Sequence, residues 1–332
     1  MIRLLSILFL LLTIPAPASA SYAERAEVQA FVAEMAARHG LDAVRLTALF
    51  ERTQPLPGVL KAIAPPADPK ARSWQAYRAR FIEPRRLAAG RAFRQRHAAA
   101  LAKAQALTCV PAEVVVAIIG IETYYGKHLG RFDAFAALAT LAFDYPPRAE
   151  LFRRELEALL LLAQAEGRTP DGYRGSYAGA IGLPQFLPSS IRSYAVDFDR
   201  NGRIDLTGSP ADAIGSVANF LAEHGWECGG PVAIPAKLGA GGAAPESLLA
   251  EGILPLRRPE EMAAFGVEIP AAAPDAPAAL IDLATPDAAT EYWLGYRNFY
   301  VITRYNRSSF YAMTVFQFAR ELESARRAPA SQ

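Results

Sequence analysis

Cysteine and histidine are scarce in this sequence, which has two Cys and four His in 332 residues. They lie far apart, and neither a CxxC pair nor an HExxH segment occurs. Zinc sites are built from such closely spaced ligands, so the sequence argues against a zinc protein. The GxSxG turn of the common serine hydrolases and the GxxxxGK[ST] phosphate loop are also missing, which argues against both of those enzyme classes.

A large excess of charge of either sign is missing as well. The chain carries 35 Lys and Arg against 33 Asp and Glu, a formal net charge of +2. No stripe of basic residues interleaved with aromatics is present, so nucleic acid is not an expected partner. Apolar residues are abundant instead: 52% of the chain is hydrophobic, which predicts a folded protein with a large core.

The first twenty residues have the pattern of a cleavable signal peptide. Arg3 is followed by an uncharged, mostly apolar run (4–14) and then by the small residues of segment 18–20. We expect cleavage before Ser21 and export to a bacterial periplasm. An uncleaved membrane anchor is the alternative, but the apolar run is too short to span a bilayer. No cysteine stands near the cleavage site, so a lipoprotein anchor is not expected.

The rest of the chain divides by composition into four stretches. Residues 21–107 are predicted to be helical and to include one basic helical stretch over 73–107. Residues 108–228 predict a compact core of helices with a glycine- and serine-rich loop and an acidic loop. Residues 229–300 are rich in Ala, Pro and Gly and predict a small, partly β insertion. Residues 301–326 close the core with a helix, so we predict a mainly α protein.

Glu122 is the candidate general acid. Residues 111–124 predict a helix that is apolar on all sides and therefore buried. Glu122 continues an apolar stripe of valine and isoleucine into the last turn, and Gly126 is the expected C-cap. Burial and the negative end of the helix dipole both raise the pKa of a carboxyl there, as a general acid for glycosidic cleavage requires. The residues alone equally allow a structural Glu paired with an arginine such as Arg148.

Six motifs follow one another along the chain. They are IIGIETYYGKHLG (118–130), LATLAFDYPPRAE (138–150), GSYAGAIGLPQFLPSS (175–190), YAVDFDRNGRIDL (194–206), DAIGSVANFLAEHGW (212–226) and FYVITRYNRSSFYAM (299–313). The segment WQAYRARFI (74–82) precedes them. Together they resemble the membrane-bound lytic transglycosylase B family of peptidoglycan lyases, over nearly the whole chain after residue 20.

That resemblance implies a lysozyme-like core of the goose type, with an N-terminal helical region and a small β-containing insertion. It also implies cleavage of the β-1,4 bond between N-acetylmuramic acid and N-acetylglucosamine without water, leaving a 1,6-anhydro sugar. Glu122 is then the sole acid and base, no cofactor takes part in catalysis, and the partner is the peptidoglycan glycan strand.

Two other functions stay open at this point. A hydrolytic muramidase needs a second carboxylate, for which Asp133 and Asp144 are the candidates, although both are more simply surface or capping residues. The other alternative is a cell-wall-binding protein without turnover, which has no need of a poorly solvated acid such as Glu122.

The resemblance also assigns substrate-binding roles to polar and aromatic residues. A hydroxyl or an amide can bind sugar groups without competing for the catalytic proton, and tyrosine can stack on a sugar face. Arg148 is expected to attract substrate carboxylates, although Pro147 stands where the family often has a second arginine. The structural alternatives are core packing of the tyrosines and an ST-turn at the serine. The expected cleft residues are Tyr77, Arg148, Ser176, Gln185, Tyr305 and Asn306.

The loop 197–205 begins with the D-x-D-x-N-G pattern of an EF-hand calcium loop. The glutamate expected at its twelfth position is missing, because Gly208 stands there, and the resemblance points to a later aspartate instead. The expected ligands of a structural calcium are Asp197, Asp199, Asn201, the Arg203 carbonyl and Asp212. An Asx-rich turn without metal is the alternative.

The two cysteines, Cys109 and Cys228, are candidates for a disulfide. The oxidising compartment and the even cysteine count favour the bond, while two inert buried thiols are the alternative.

Overall fold

The computed structural model describes residues 21–65, 72–239 and 245–327, so the predicted signal segment 1–20 lies outside the described residues. Helices dominate, as predicted for a mainly α protein. The α-helices are α1 (Ala26–His39), α2 (Ala43–Glu51), α3 (Pro57–Ile63), α4 (Trp74–Phe81), α5 (Pro84–Arg96), α6 (Ala98–Thr108), α7 (Ala112–Thr123), α8 (Ala134–Asp144), α9 (Ala149–Glu166), α10 (Pro188–Tyr194), α11 (Pro210–Glu223), α12 (Glu246–Ala250), α13 (Pro259–Ala263), α14 (Arg297–Tyr305) and α15 (Ser309–Arg327). The strands are β1 (Phe132–Asp133), β2 (Arg174–Gly175), β3 (Ala233–Leu238), β4 (Val267–Glu268), β5 (Ala279–Leu283) and β6 (Glu291–Gly295).

The chain divides between Pro55 and Leu56 into two compact units. In the first unit, α1 ends at Gly40, which has a left-handed φ of 65° and supplies the C-cap. The division does not fall at the predicted boundary near residue 107, because α5 and α6 pack against α7 and belong to the second unit. The boundaries predicted within 108–326 stay predictions. The apolar stripe of α1 is buried and consists of Val28, Phe31, Val32 and Met35.

Helix α7 is an internal helix of the second unit. All of its residues from Val114 to Ile121 are buried, and it packs against α5, α6, α11 and α15. This confirms the buried helix predicted around residues 111–124. Within the described ranges no single helix is long and apolar enough to cross a membrane; α6 and α7 pass that test only as a pair, and their axes meet at 116°.

The basic stretch 73–107 is helical, as predicted, and it forms three helices, α4, α5 and α6. The Ser73 hydroxyl caps α4 by accepting a hydrogen bond from the Ala76 amide at 3.2 Å. The Glu83 carboxylate caps α5 in the same way, and Pro84 occupies the first position of that helix. Proline suits the first turn of a helix but cannot continue one, so α5 begins at Pro84 as a separate helix after α4.

A four-stranded antiparallel sheet forms the predicted β-containing part, in the order β4-β3-β6-β5. Strand β6 pairs with β3 and with β5, and its residue Leu294 is fully buried. The aromatic segment 291–306 is a strand only as far as Gly295, and it continues as helix α14. Strand β6 of the sheet is therefore followed, after one residue, by α14, the helix that ends at Tyr305.

Cys109 and Cys228 form a disulfide, with their Cα atoms 5.1 Å apart. Cys109 ends α6 with a left-handed φ of 59°, and Cys228 follows α11. The bond therefore joins the corner before α7 to the segment after α11. The alternative of two buried thiols is wrong, because both residues are exposed as well as bonded.

Candidate active site

Glu122 lies in the last turn of α7 and is hydrogen-bonded to a tyrosine from the other end of the chain. The Tyr311 hydroxyl on α15 donates to Glu122 Oε1 at 2.7 Å. Burial of the carboxyl raises the pKa of Glu122 to about 7, and the hydrogen bond from Tyr311 opposes part of that increase. A carboxyl with this pKa is partly protonated near neutral pH, so it can both give and take a proton.

The backbone after Glu122 turns sharply. Tyr124 and Tyr125 both have left-handed φ values, 52° and 59°, and Gly126 follows at 88°. Tyr124 is thus the C-cap of α7, and the predicted cap at Gly126 is displaced by two residues. The Thr123 hydroxyl holds this turn, because it accepts a hydrogen bond from the Gly126 amide and donates to the Leu183 carbonyl at 3.0 Å.

Helix α5 contacts the C-terminal end of α7, the helix that carries Glu122. Arg86 Nη1 donates to the Gly120 carbonyl at 2.9 Å, and its guanidinium lies 4.8 Å from the ring centre of Tyr124. The Tyr125 hydroxyl packs where a Cβ atom on Gly90 or Gly120 would stand. This close approach explains why glycine occurs inside α7 at Gly120 despite its cost of roughly 1 kcal/mol relative to alanine.

Three tyrosines face the same carboxyl. Burial raises the pKa of Tyr77, Tyr305 and Tyr311, and the negative charge of Glu122 raises all three further. The rings of Tyr305 and Tyr311 are nearly parallel, with their centres 6.3 Å apart. The Tyr305 hydroxyl donates to the Pro184 carbonyl at 2.6 Å. Two of the predicted cleft residues, Tyr77 and Tyr305, therefore lie within the electrostatic reach of Glu122.

Tyr311 was missed as a site residue in the sequence. It stands inside the motif FYVITRYNRSSFYAM, in which only Tyr305 and Asn306 are predicted as cleft residues. A tyrosine on the buried face of the closing helix gives no local signal of a contact with Glu122, because 189 residues separate the two.

Ser176 and Gln185 lie in the loop between α9 and α10. The Ser176 hydroxyl accepts hydrogen bonds from the Ala178 and Ala180 amides, so the ST-turn is present. The Gln185 side-chain nitrogen donates to the Leu129 and Gly182 carbonyls, which fixes the amide plane. The amide oxygen of Gln185 accepts no hydrogen bond within the described residues, and it is free to accept one from a ligand.

Arg148 and Asn306 are both exposed. Arg148 lies with its guanidinium 5.4 Å from the ring centre of Phe152, and within the described residues no hydrogen bond or ion pair joins it to Glu122. The alternative of a Glu122–Arg148 pair is therefore wrong. Asn306 is the C-cap of α14, one residue after Tyr305.

Asp133 and Asp144, the candidates for a second catalytic carboxylate, lie at the two ends of α8. Asp133 caps α8 by accepting a hydrogen bond from the Ala136 amide at 2.9 Å, and burial raises its pKa. Asp144 is the last residue of the same helix. The capping interpretation of Asp133 is therefore confirmed.

The acidic loop brings three carboxylates together. Oxygens of Asp197, Asp199 and Asp212 all lie within 4.8 Å of one another. Asp212 reaches the loop from the first turn of α11, where it is fully buried, and its Oδ1 accepts a hydrogen bond from the Phe198 amide at 2.8 Å. Carboxylate oxygens converging in this way form a donor set that suits calcium.

Asn201 and Arg203 belong to the same loop. The backbone N–H of Asn201 donates to the carboxylates of Asp197 and Asp199. The side-chain oxygen of Asn201 accepts a hydrogen bond from the backbone N–H of Arg203 at 3.1 Å. The hydrogen bonds of an Asx-rich turn are thus present, and they coexist with the converging carboxylates.

Sequence and structure comparisons agree with this geometry. Residues 23–320 match the family model described as the transglycosylase SLT domain. The chain is 39% identical over 322 residues to membrane-bound lytic murein transglycosylase B of Escherichia coli strain K12, a match that covers 92% of this chain and 85% of that protein.

Two solved structures show the same similarity. The soluble lytic transglycosylase SltB1 of Pseudomonas aeruginosa is 44% identical, with a TM-score of 0.83 over 91% of this chain and 100% of that one. The Escherichia coli lytic transglycosylase Slt35 in complex with calcium is 37% identical, with a TM-score of 0.79 over 92% and 96% of the two chains. The resemblance found in the six motifs is confirmed, and the chain belongs to the transglycosylase SLT family, with the lysozyme-like fold of the lytic transglycosylases.

Proposed function

We propose that this protein is a lytic transglycosylase that cleaves the glycan strands of peptidoglycan, with Glu122 as both acid and base. Membership of the family supports the enzyme class, and the Escherichia coli relative is named a murein transglycosylase. One observation carries the role of Glu122: the carboxyl of this half-buried residue accepts a hydrogen bond from the Tyr311 hydroxyl at 2.7 Å, in surroundings that raise its pKa to about 7.

A single carboxyl can carry both halves of the reaction. Protonated Glu122 gives its proton to the glycosidic oxygen, which leaves with the electron pair of the bond to C1. The N-acetyl oxygen of the substrate stabilises the positive charge that develops at C1. The Glu122 carboxylate then takes the proton of the C6 hydroxyl as that oxygen bonds to C1. Glu122 ends as it began, no water is consumed, and the product carries a 1,6-anhydro ring.

The roles proposed for the other residues follow from their chemistry. The Gln185 amide oxygen and the Asn306 side chain offer hydrogen bonds to N-acetyl groups and sugar hydroxyls, and Tyr77 and Tyr305 offer aromatic surface. Ser176 already uses its hydroxyl oxygen as an acceptor, so toward substrate it is proposed as a donor. Arg148 is exposed and is proposed to attract substrate carboxylates.

The rate of cleavage should fall as the pH rises through about 7, because the first step needs protonated Glu122. Replacing Tyr311 with Phe removes a hydrogen bond that favours the carboxylate, so the pKa of Glu122 should rise further and this fall should move to higher pH. Initial rates on a soluble peptidoglycan fragment, measured on both sides of pH 7, test this.

Tyr305→Phe is the matched control for that shift. It also removes a phenolic hydroxyl near the site, but this hydroxyl donates to the Pro184 carbonyl rather than to Glu122. Its pH profile should fall at the pH of the wild type. If the pH profile of Tyr311→Phe were the same as that of the wild type, the fall in the cleavage rate at high pH could not be assigned to Glu122.

We also propose that the acidic loop holds a structural calcium ion. Asp197, Asp199 and Asp212 supply converging hard oxygen donors, and Asn201 and the Arg203 carbonyl complete the set expected from the loop pattern. The ion would tie the loop to the start of α11 and neutralise three clustered carboxylates. It takes no part in the proposed chemistry, and the calcium complex of Slt35 is a related precedent.

Calcium should raise the melting temperature, since a ligand that binds only the folded protein stabilises it by about 2.7 kcal/mol at a hundred times its Kd. Asp197→Asn should abolish the increase. Glu150→Gln is the control, because Glu150 pairs with Arg154 on α9 at 3.4 Å and lies outside the acidic loop. Identical melting of the wild type in calcium and in chelator would refute the site.

Export to the periplasm is proposed on the signal-peptide pattern of residues 1–20 and on the cell-wall substrate. The intact mass of the exported protein tests it: cleavage gives a chain that begins at Ser21, and a mass that retains residues 1–20 would overturn the proposal.

A further inference from the structure

Positive charge is concentrated in one short stretch of this nearly neutral chain, where aromatic residues stand between the arginines, so the statement from the sequence that no such stripe is present was wrong for this stretch. Residues 72–86 contain five arginines and one acidic residue, Glu83, which gives 5 − 1 = +4. The rest of the chain then carries 30 basic and 32 acidic residues, or −2. The stretch comprises α4 and the start of α5, and α4 also carries Tyr77, one of the tyrosines that face Glu122.

Two of these arginines flank a row of aromatic rings. The guanidinium of Arg72 lies 5.7 Å from the ring centre of Phe310, and that ring lies 5.8 Å from Tyr77. Tyr77 lies 5.1 Å from Phe81, whose ring centre is 5.5 Å from the guanidinium of Arg80. A series of ring contacts with Tyr77 at its middle therefore joins Arg72 to Arg80, and the guanidinium of Arg86 lies 5.2 Å from the same Phe81 ring.

This row is part of the wall beside the catalytic carboxyl. Phe310 directly precedes Tyr311, the residue that hydrogen-bonds to Glu122. Burial is the largest of the effects that raise the pKa of Tyr77, and the negative charge of Glu122 raises this pKa further. The positive charges of Arg80 and Arg72 lower the same pKa. One phenol thus lies within reach of the catalytic acid and of both guanidinium groups.

The two flanking arginines differ from Arg78 and Arg86 in making no hydrogen bond or ion pair among the described residues. Arg78 Nε donates to the Gln317 side chain at 2.6 Å, and Arg86 donates to the Gly120 carbonyl. The guanidinium groups of Arg72 and Arg80 make no hydrogen bond or ion pair within the described ranges, and both residues are exposed. Their donors are available to a ligand.

We propose that Arg72 and Arg80 bind carboxylates of the peptides carried by the glycan strand, an inference that rests on the proposed function. The sugars of the strand are neutral when each lactyl group is joined to a peptide, so the peptide carboxylates are its anionic groups. Guanidinium groups match the planar geometry of a carboxylate and pair with it through two hydrogen bonds. The aromatic row between them offers a surface for the sugar that carries the peptide.

The test compares two forms of one substrate. Soluble glycan strands with free peptide carboxylates are used as purified, or after their carboxylates have been converted to neutral amides with carbodiimide and ammonia. At low salt, wild type should cleave the free-carboxylate strands faster. Arg72→Gln and Arg80→Gln should each reduce that preference by about 1.5- to 5-fold, the range of an exposed ion pair, and added salt should reduce it in the wild type.

Arg78→Gln is the matched control. It removes the same charge from α4, the helix that carries Arg80 and that Arg72 precedes, but Arg78 donates to Gln317 and lines a cavity of about 620 Å³ together with Glu291 and Trp293. This variant should keep the preference. An equal loss in Arg78→Gln, or equal wild-type rates on both substrates, would overturn the proposal. Absence of anhydro products from both substrates would instead contradict the proposed function.

Discussion

Replacing Glu122 with Gln should reduce the release of 1,6-anhydro products from purified peptidoglycan by at least roughly 10²–10⁴-fold, the usual contribution of general acid–base catalysis. Glutamine keeps the shape of the side chain and can still accept the hydrogen bond from Tyr311, but it has no transferable proton. The loss should exceed that range because the same group serves both halves of the reaction. Binding to peptidoglycan should persist, since the proposed binding residues are intact.

The fold should survive this change. Because the pKa of folded Glu122 is raised from 4.5 to about 7, the stability it contributes is fully present below pH 4.5 and is lost as the pH rises through 7. A glutamine side chain cannot ionise, so above pH 7 the Glu122→Gln protein should be at least as resistant to urea as the wild type. Near-normal turnover by this folded variant would contradict the mechanism, whereas loss of folding would favour a structural role.

Glu113→Gln is the matched control on the same helix. Glu113 lies in the first turn of α7 and pairs with Arg94 at 3.0 Å, at the end away from Glu122. Its replacement should leave the release of anhydro products near the wild-type rate. An equal loss of activity in both variants would show that any change to α7 impairs the enzyme.

Removing the disulfide should lower the free energy of unfolding by about 2–5 kcal/mol. The bond closes a loop across a sequence separation of 119 residues, so its loss frees a long segment of the unfolded chain. It also releases the corner at Cys109 between α6 and α7. Urea unfolding of the Cys109→Ser, Cys228→Ser double variant measures the effect.

Reduction provides the control for this prediction. Both cysteines are exposed, so a thiol reductant should lower the stability of the wild type toward that of the double variant. The double variant itself should not respond. Equal stability of oxidised wild type and double variant would show that the bond does not stabilise the fold.

The sequence predicted the features that depend on local pattern. The buried face of α1 and the internal helix α7 follow from apolar periodicity, and the β pieces of the small sheet follow from short apolar runs between Gly and Pro. Glu122 could be identified as a poorly solvated acid because its helix is apolar on every side. The family could be identified from the six motifs because they follow one another in the same order along the chain.

The contacts between distant segments could not be predicted in the same way. Tyr311 reaches Glu122 across 189 residues, and nothing in its own helix distinguishes it from a core tyrosine. The cap of α7 was placed at Gly126 because glycine is the usual left-handed residue, whereas Tyr124 and Tyr125 adopt that conformation here. Packing of the Tyr125 ring against Gly90 and Gly120 holds the unusual turn, and such packing is a tertiary effect.

The chemical form of the new glycan end tests the central claim most directly. Purified peptidoglycan is digested with the wild-type protein, and the released fragments are analysed by mass spectrometry with and without borohydride reduction. Transfer to the C6 hydroxyl predicts muramic ends that are lighter by one water molecule and resist reduction. Muramic ends that carry the additional water and are reduced by borohydride would show a hydrolase, and would contradict catalysis by Glu122 alone through an anhydro product.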